Sequence, residues 1–403
     1  MKAFTTRLIL PALSAAMILA GCKGGGEQSN TFRIGVVTSL TGPSAAFGQA
    51  HKNGYTIALG ELNGKGGVLG KRIELVYYDD QGRPDQAVQG VTKLVDQDQV
   101  PIILGAYTSE NTRAMIPAVT QKQVPLLIPT SVADNLMETG SPWIFRVCQG
   151  SGDYARVILD FLKHNGDPKT IAIIYENTNF GQSNDTAMRE AAQKAGLTLV
   201  DEEAYQASSP DYKALLERVK AKNPDVIYFA SYLLDATTLL RQSEQVGVNP
   251  RYYTAAGTGF SAAEFPTKDK GAGAYAEYTI SVSQWLPTAK WKGSKEFDEA
   301  YVKLTGTHPA YHAIEAYVSL EIAVAAIEKA GNGRPAAIRD AIRALALPDT
   351  PFGPIRFDEH GQNAHPTLVT QIQAGQYKVV WPPDAAEAKP ILPTPPWSKR
   401  AGL

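Results

Sequence analysis

The chain is poor in cysteine: Cys22 and Cys148 are the only two in 403 residues. Two cysteines cannot build a disulfide scaffold or a four-cysteine zinc site. An excess of either charge is also missing, since 39 Lys and Arg stand against 40 Asp and Glu. A nucleic-acid binder is usually clearly basic, so no nucleic-acid partner is expected and no strong field exists for anionic lipid. No apolar run reaches the ~18–20 residues that a membrane-crossing helix needs. There is no G-x-S-x-G, which removes the α/β-hydrolase nucleophile elbow, and no G-x4-G-K-[ST], which removes the phosphate loop.

What is present begins with an address. Lys2 and Arg7 precede an apolar run of 13 residues, Leu8 to Ala20, broken by Ser14. Its length suits the central region of a secretory signal and falls short of a span. Leu19-Ala20-Gly21-Cys22 is similar to the lipobox of bacterial lipoproteins, which implies lipidation of Cys22. Lys23 to Asn30 is glycine-rich and polar, as a flexible tether would be. The expectation is therefore a signal peptide over 1–21, a lipidated tether over 22–31, and an anchor on a membrane through lipid alone. Cys148 then remains as the one other cysteine, and it reads as a small buried apolar group rather than a thiol nucleophile.

Beyond the tether about 370 residues remain, which predicts two domains. An apolar content of 44% with 20% charged residues excludes wholesale disorder. Strand-like segments at 32–37, 73–78, 100–105 and 124–128 alternate with helical spacing at 51–62, 84–95 and 112–122. The pattern restarts, with strands at 170–175, 197–203, 225–230 and 251–255 and helices at 152–163, 180–195, 212–220 and 236–246. Helices at 310–329 and 336–345 and a strand pair near 367–372 and 377–380 follow. Alternation of this kind predicts two doubly wound α/β lobes with parallel sheets. The proline-rich 383–403 reads as an extended tail.

Three motifs are weaker than they look. Residues 271–276, Gly-Ala-Gly-Ala-Tyr-Ala, imitate a dinucleotide fingerprint but lie in a loop before a strand, the wrong order. His308, His312 and Glu315 have helical metal-ligand spacing, yet Pro309 places His308 ahead of the helix. Asp79-Asp80 reads as a strand-end turn capping the next helix. No cofactor or metal is expected, and a two-lobe chain without a nucleophile elbow, phosphate loop or metal cluster reads as a binder rather than an enzyme.

Several segments carry a family resemblance. Val36-Val37-Thr38-Ser39-Leu40-Thr41-Gly42-Pro43, Asn63 to Arg72, Tyr78 to Pro84, Ile102 to Ser109, Leu239-Leu240-Arg241-Gln242 with Gly247, and Gly353 to Asp358 resemble the periplasmic branched-chain amino-acid binding proteins, the type I solute-binding fold. The resemblance runs from about residue 32 to 380. It implies a clamp joined by three hinge crossings, near 147–150, 279–283 and 351–353. Lobe 1 would hold 32–148 plus 282–351, and lobe 2 149–281 plus 352–382. It implies capture of a small ligand in the periplasm or at the cell surface and delivery to the permease of an ABC importer. A ligand sensor signalling to a membrane receptor on the same fold is the alternative.

The resemblance also implies site residues. Loops beyond the carboxyl ends of parallel strands are where ligands bind. Tyr107-Thr108-Ser109 follows one strand and opens a helix, and the family's matching serine holds the ligand carboxylate; a role for Ser109 as helix cap alone is the other reading. Thr130-Ser131-Val132-Ala133 matches the segment whose backbone grips the same group. Phe47, Phe180 and Tyr232 match aromatics against the ligand, and His312 a wall position. Ala256, followed by Gly257, stands where amino-acid binders place the acid that neutralises the ligand ammonium, and Ala133 stands for the assisting threonine. Asp235 is close in sequence but reads as a cap for the helix at Ala236. The implied ligand is thus a hydrophobic amino acid, or a related carboxylate or amide lacking an α-ammonium. Gly82 and Thr108 occupy the family's disulfide positions.

Overall fold

The computed structural model describes residues 1–3 and 30–400. Apart from residues 1–3, 30 and 31, the signal peptide, the lipidation at Cys22 and the tether lie outside the described residues.

The chain opens with β1 (Thr31–Thr38), α1 (Ala45–Gly64), β2 (Arg72–Asp79), α2 (Pro84–Thr92), β3 (Ile103–Leu104), α3 (Ser109–Lys122), β4 (Leu126–Ile128) and β5 (Ile144–Arg146). The five strands form a parallel sheet in the order β2-β1-β3-β4-β5. Successive side chains alternate between its faces. Ile34, Val36, Leu104, Leu127 and Phe145 enter one core, while Val37, Ile103, Leu126, Ile128 and Ile144 enter another. Burial on both faces is why these segments read as apolar runs rather than as polar-apolar alternation.

Next come α4 (Ser151–Asn165), β6 (Thr170–Glu176), α5 (Asn179–Ala195), β7 (Thr198–Tyr205), α6 (Lys213–Lys222), β8 (Val226–Ala230), α7 (Leu233–Val246), β9 (Tyr252–Ala255) and β10 (Ile280–Ser283). The chain then adds α8 (Ser294–Thr305), α9 (Tyr311–Ala330), α10 (Pro335–Arg343), β11 (Ala346–Leu347) and β12 (Ile355–Arg356) to the first lobe, before β13 (Leu368–Gln373) and β14 (Gln376–Trp381) return to the second. The second sheet has seven strands, β14-β13-β10-β9-β8-β6-β7, with β13 antiparallel to both neighbours. Two α/β lobes result, as the alternation predicts. Helix α9 is buried along most of its length and lies on α1. A Cβ on Gly54 would sit 2.0 Å from the Ala313 carbonyl, so glycine is what lets the two helices approach this closely.

Three chain crossings join the lobes, and amide side chains stitch them together. Gln149 N–H donates to Gln284 Oε1 at 2.8 Å, and Gln284 Nε2 donates to Tyr154 OH at 2.6 Å. Gln149 Nε2 donates to the Asn363 carbonyl at 2.7 Å and Gln362 Nε2 to the Cys148 carbonyl at 2.8 Å. The third crossing therefore lies near 362–367, not at 351–353. The reason is apolar: Phe352, Ile355 and Phe357 belong to the first lobe's core and hold the chain there ten residues longer than expected. Val282 and Ser283, assigned by sequence to the first lobe, are the last residues of β10 in the second sheet.

Other local expectations change as well. Helix α1 starts six residues before 51, and α8 has no counterpart in the sequence reading. Asp79 and Asp80 do not cap α2, whose N-cap is Arg83. They hold the first loop instead: Asp79 accepts from Leu40 N–H and the Thr41 hydroxyl, and Asp80 from the Ser39 hydroxyl at 2.6 Å. The segment after 383 is no free tail. Trp397 is buried against Tyr253, its indole N–H donates to the Val248 carbonyl at 2.6 Å, and Arg400 covers its ring.

Candidate functional site

The first loop and α1 fix the position of Phe47. A Cβ on Gly48 would meet the Ser39 carbonyl at 1.8 Å, so glycine there allows the first turn of α1 to sit on the end of β1. Phe47 then stacks on Tyr107, with ring centroids 4.4 Å apart and planes 10° apart. His312, on the first turn of α9, lies 4.9 Å from Phe47 and 5.8 Å from Tyr107. From the second lobe Tyr232 comes within 5.7 Å of Tyr107, and Phe180 lies 4.9 Å behind Tyr232. Five aromatic rings from five separate chain segments thus meet where the two sheets present their carboxyl ends. A cleft of about 460 Å³, lined by Phe47, Asn53, Leu233, Ala262 and His312, opens beside them. That volume is in the range of small-molecule sites.

The hydroxyl-rich side of the site belongs to the first lobe. Thr108, not Ser109, caps α3: its Oγ1 accepts from Asn111 N–H at 3.2 Å. Ser109 is left to accept from Ala133 N–H at 3.2 Å, which ties the two expected carboxylate-binding segments to each other. Ser131 Oγ pairs with Thr112 Oγ1 at 2.6 Å and donates to the Tyr107 carbonyl at 3.0 Å. Thr130 Oγ1 lies 3.2 Å from His51 Nε2, and His51 Nδ1 lies 3.1 Å from Thr38 Oγ1. Burial drives the His51 pKa down to about 3, so the ring is a neutral strut for Thr130. Val132 packs in the same core as Phe180 and Ala256, with the last two drawn from the second lobe.

Gly257 carries φ +71°, a conformation that suits glycine, and the next residue reaches across the lobes: Thr258 N–H donates to Tyr311 OH at 2.9 Å. Ala256 is fully buried, and no acid stands at that position. Asp235 is not a helix cap either. It lies in the first turn of α7, whose N-cap is Tyr232, and accepts from Ser208 N–H at 3.0 Å and Tyr212 OH at 2.8 Å.

Of the residues named from the sequence, Phe47, Tyr107, Phe180, Tyr232 and His312 meet as rings, Thr130 and Ser131 bond the Tyr107 carbonyl, Ser109 is tied to Ala133, and Val132 and Ala256 share a core with Phe180. Sequence reading missed His51, Tyr311 and Glu176. His51 follows Phe47 by one helical turn, a spacing that was available as a signal. Glu176 ends a buried strand, and a carboxylate at the carboxyl end of a parallel strand is a second signal. Of the metal-like spacing, His308 is exposed and paired with Asp298 at 2.8 Å, while His312 is buried among rings. Cys148 is buried too, its thiol pushed up by desolvation, as a structural residue.

A sequence profile described as "Periplasmic binding protein" matches residues 31–376. The chain belongs to that family. Its resemblance to the branched-chain amino-acid binders is carried by curated relatives as well. The leucine-, isoleucine-, valine-, threonine-, and alanine-binding protein of Pseudomonas aeruginosa is 28% identical over 361 residues, covering 90% of this chain and 94% of its own. A Leu/Ile/Val-binding protein homolog from Brucella suis is 29% identical over 400 residues, covering 95% and 99%. Among solved structures, a leucine-binding protein of Thermotoga maritima shares the fold with a TM-score of 0.80 at 24% identity, over 86% of this chain and 97% of its own. A Rhodopseudomonas palustris solute-binding protein crystallised with benzoate shares it with a TM-score of 0.78 at 17% identity, over 90% and 99%.

Proposed function

We propose that this protein is an extracytoplasmic solute-binding component of an ABC importer, lipid-anchored through Cys22. Its ligand is a small, largely apolar solute ending in a carboxylate or amide. The carboxylate end rests on Ser109 and the 130–133 segment, and the apolar body lies among Phe47, Tyr107, Phe180, Tyr232 and His312. A hydrophobic amino acid and its 2-oxo acid both fit that outline, and position 256 offers no charge to tell them apart.

The observation that carries the reading is the meeting of side chains from both lobes around one hydroxyl-lined helix start. Ligand contacts that exist only when both lobes are close shift the population toward closure, which is what a clamp needs. The names of the relatives support the solute class, and the absence of a helix able to cross a membrane among the described residues fits a carrier that hands its cargo to a separate permease.

Thermal unfolding of the purified chain with leucine, isoleucine, valine, their 2-oxo acids and benzoate tests it. A bound solute at roughly 100-fold above its dissociation constant stabilises by about 2.7 kcal/mol, enough to read as a clear rise in Tm. A flat Tm across the panel, with an unchanged scattering profile, overturns the proposal.

A further inference from the structure

Phe47 and His312 border two spaces. On one side they meet Tyr107 and Tyr232 ring against ring. On the other they line the cavity of about 460 Å³. Neither Ser109 nor the 130–133 segment lines that cavity, so it is a separate compartment from the one proposed for the carboxylate end.

Its walls are built from short side chains. Ala46 and Ala50 of α1, Ala310 just before α9, and Ala262 and Ala263 of the second lobe all line it. Ala46 and Ala50 are one helical turn apart, so one face of α1 is pared down to methyl groups there. Because both lobes contribute, a group seated in this cavity is gripped only while the lobes are together.

The polar groups are few. His312 is 2% exposed, and its Nδ1 has no hydrogen-bond partner. A buried nitrogen left unpaired is costly, which makes this ring on the cavity wall a standing hydrogen-bond site. Burial, and then His51, push the His312 pKa well below the ordinary histidine range, so the ring is neutral, with one nitrogen to donate and one to accept. Asn53, on the same side of α1 as Ala50, adds a half-buried amide whose Oδ1 accepts from Gln49 Nε2 at 2.8 Å. Glu264 and Lys270 also line the cavity, and their opposite signs give no preference for a charged group. A neutral group that both donates and accepts matches such a wall, and an amide does so with adjacent atoms.

We propose that this cavity is an outer arm of the solute site, and that the solute is an apolar carboxylic acid extended by a neutral amide, an N-acylated hydrophobic amino acid being the simplest case. The amide pairs with His312, and the acyl chain lies among the alanines. Acylation also removes the α-ammonium, for which Ala256 offers no counter-charge. The assignment rests on the reading of the cleft as a solute trap and narrows its solute class.

Calorimetry on the full chain tests it, with N-butanoylleucine, leucine and 4-methyl-2-oxopentanoate as probes. N-Butanoylleucine is expected to bind at least tenfold tighter than either short probe, since each methylene taken out of water contributes about fourfold. Ala50→Leu fills the arm from the first lobe and is expected to bring that ratio to one or below. Ala263→Leu fills it from the second lobe, with the same result expected, and keeps the test in force should Ala50→Leu not fold. His312→Phe keeps a ring and removes both nitrogens, and should lower the ratio about fivefold. A wild-type protein that binds leucine or its 2-oxo acid as tightly as N-butanoylleucine overturns the arm while leaving the solute trap standing. An unchanged ratio in both alanine variants overturns it too. Failure of the wild type to bind any of the three probes overturns the solute class itself, and this assignment with it.

Discussion

The backbone N–H of Asn179, first residue of α5 in the second lobe, donates to Glu110 Oε2 of the first lobe at 2.7 Å. A carboxylate from one lobe thereby satisfies the positive end of a helix in the other. The contact exists only while the lobes are together, and the side-chain amides of Asn135 and Asn179 exchange two further hydrogen bonds beside it.

Glu110→Ala should therefore weaken ligand binding without altering the ligand's own contacts. The expected loss is about three- to tenfold in affinity, in keeping with one charged hydrogen bond at a partly exposed site. Small-angle scattering of the saturated variant should still give the closed radius. A variant that binds as tightly as the wild type would show that the clasp contributes nothing to closure.

Ser109→Ala removes the acceptor of Ala133 N–H and a hydroxyl at the start of α3. Ligand affinity should fall by about 1–3 kcal/mol, the cost of one buried group left unpaired. Calorimetry reads this directly, and an unaltered dissociation constant would remove Ser109 from the site.

Gln284 is fully buried and serves two crossings at once. Replacing it by leucine strands Gln149 N–H and Tyr154 OH. Stability should drop by about 2–4 kcal/mol, measured by urea unfolding of the ligand-free protein. A loss below the error of the measurement would mean that the hinge is solvated and that the amides are not holding it.

His51 gives a pH signature. Its folded-state pKa of about 3 lies below the ordinary value of 6.5, so the unfolded chain binds a proton that the native chain refuses. The resulting loss of stability starts as pH falls below 6.5 and continues toward 3. In His51→Gln that loss is absent. The stability difference between wild type and variant should thus move in the variant's favour by about 1.4 kcal/mol per pH unit below 6.5. Thermal unfolding of both proteins at pH 7, 6 and 5 checks the sign, and parallel curves would refute it.

Trp397→Ala tests the C-terminal strap. The side chain is nearly buried, hydrogen-bonded to Val248 and covered by Arg400. Its loss should cost about 3–4 kcal/mol. A Tm within a degree of wild type would return the segment to the status of a loose end.

The sequence makes the sheets plain because buried parallel strands such as Ile171 to Tyr175 and Val226 to Ala230 stand out as apolar blocks. The three-residue strand Ile144–Arg146 is set by its neighbours' register, which no local pattern encodes. Helix α8 buries only Ser294, Phe297 and Tyr301 along its 12 residues. The expected site residues came from the family resemblance, and several of them lie in loops beyond the carboxyl ends of parallel strands. Glu176 and His51 were not singled out, since a lone polar residue at the end of an apolar block reads as a boundary until the opposite lobe is in place. The strap at 383–400 misled for a related reason: prolines set its extended backbone, but Trp397 decides what it lies on.

The packing of α1 on α9 carries a consequence for biosynthesis. Residues 45–64 cannot complete their core until residues 311–330 have been made, and five strands of the second sheet, β6 to β10, are translated in between. The amino-terminal half must wait, partly uncovered, while the ribosome finishes its partner. A chain released early would expose the apolar face of α1, which gives the still-unfolded chain a reason to stay bound by chaperones until α9 has been made.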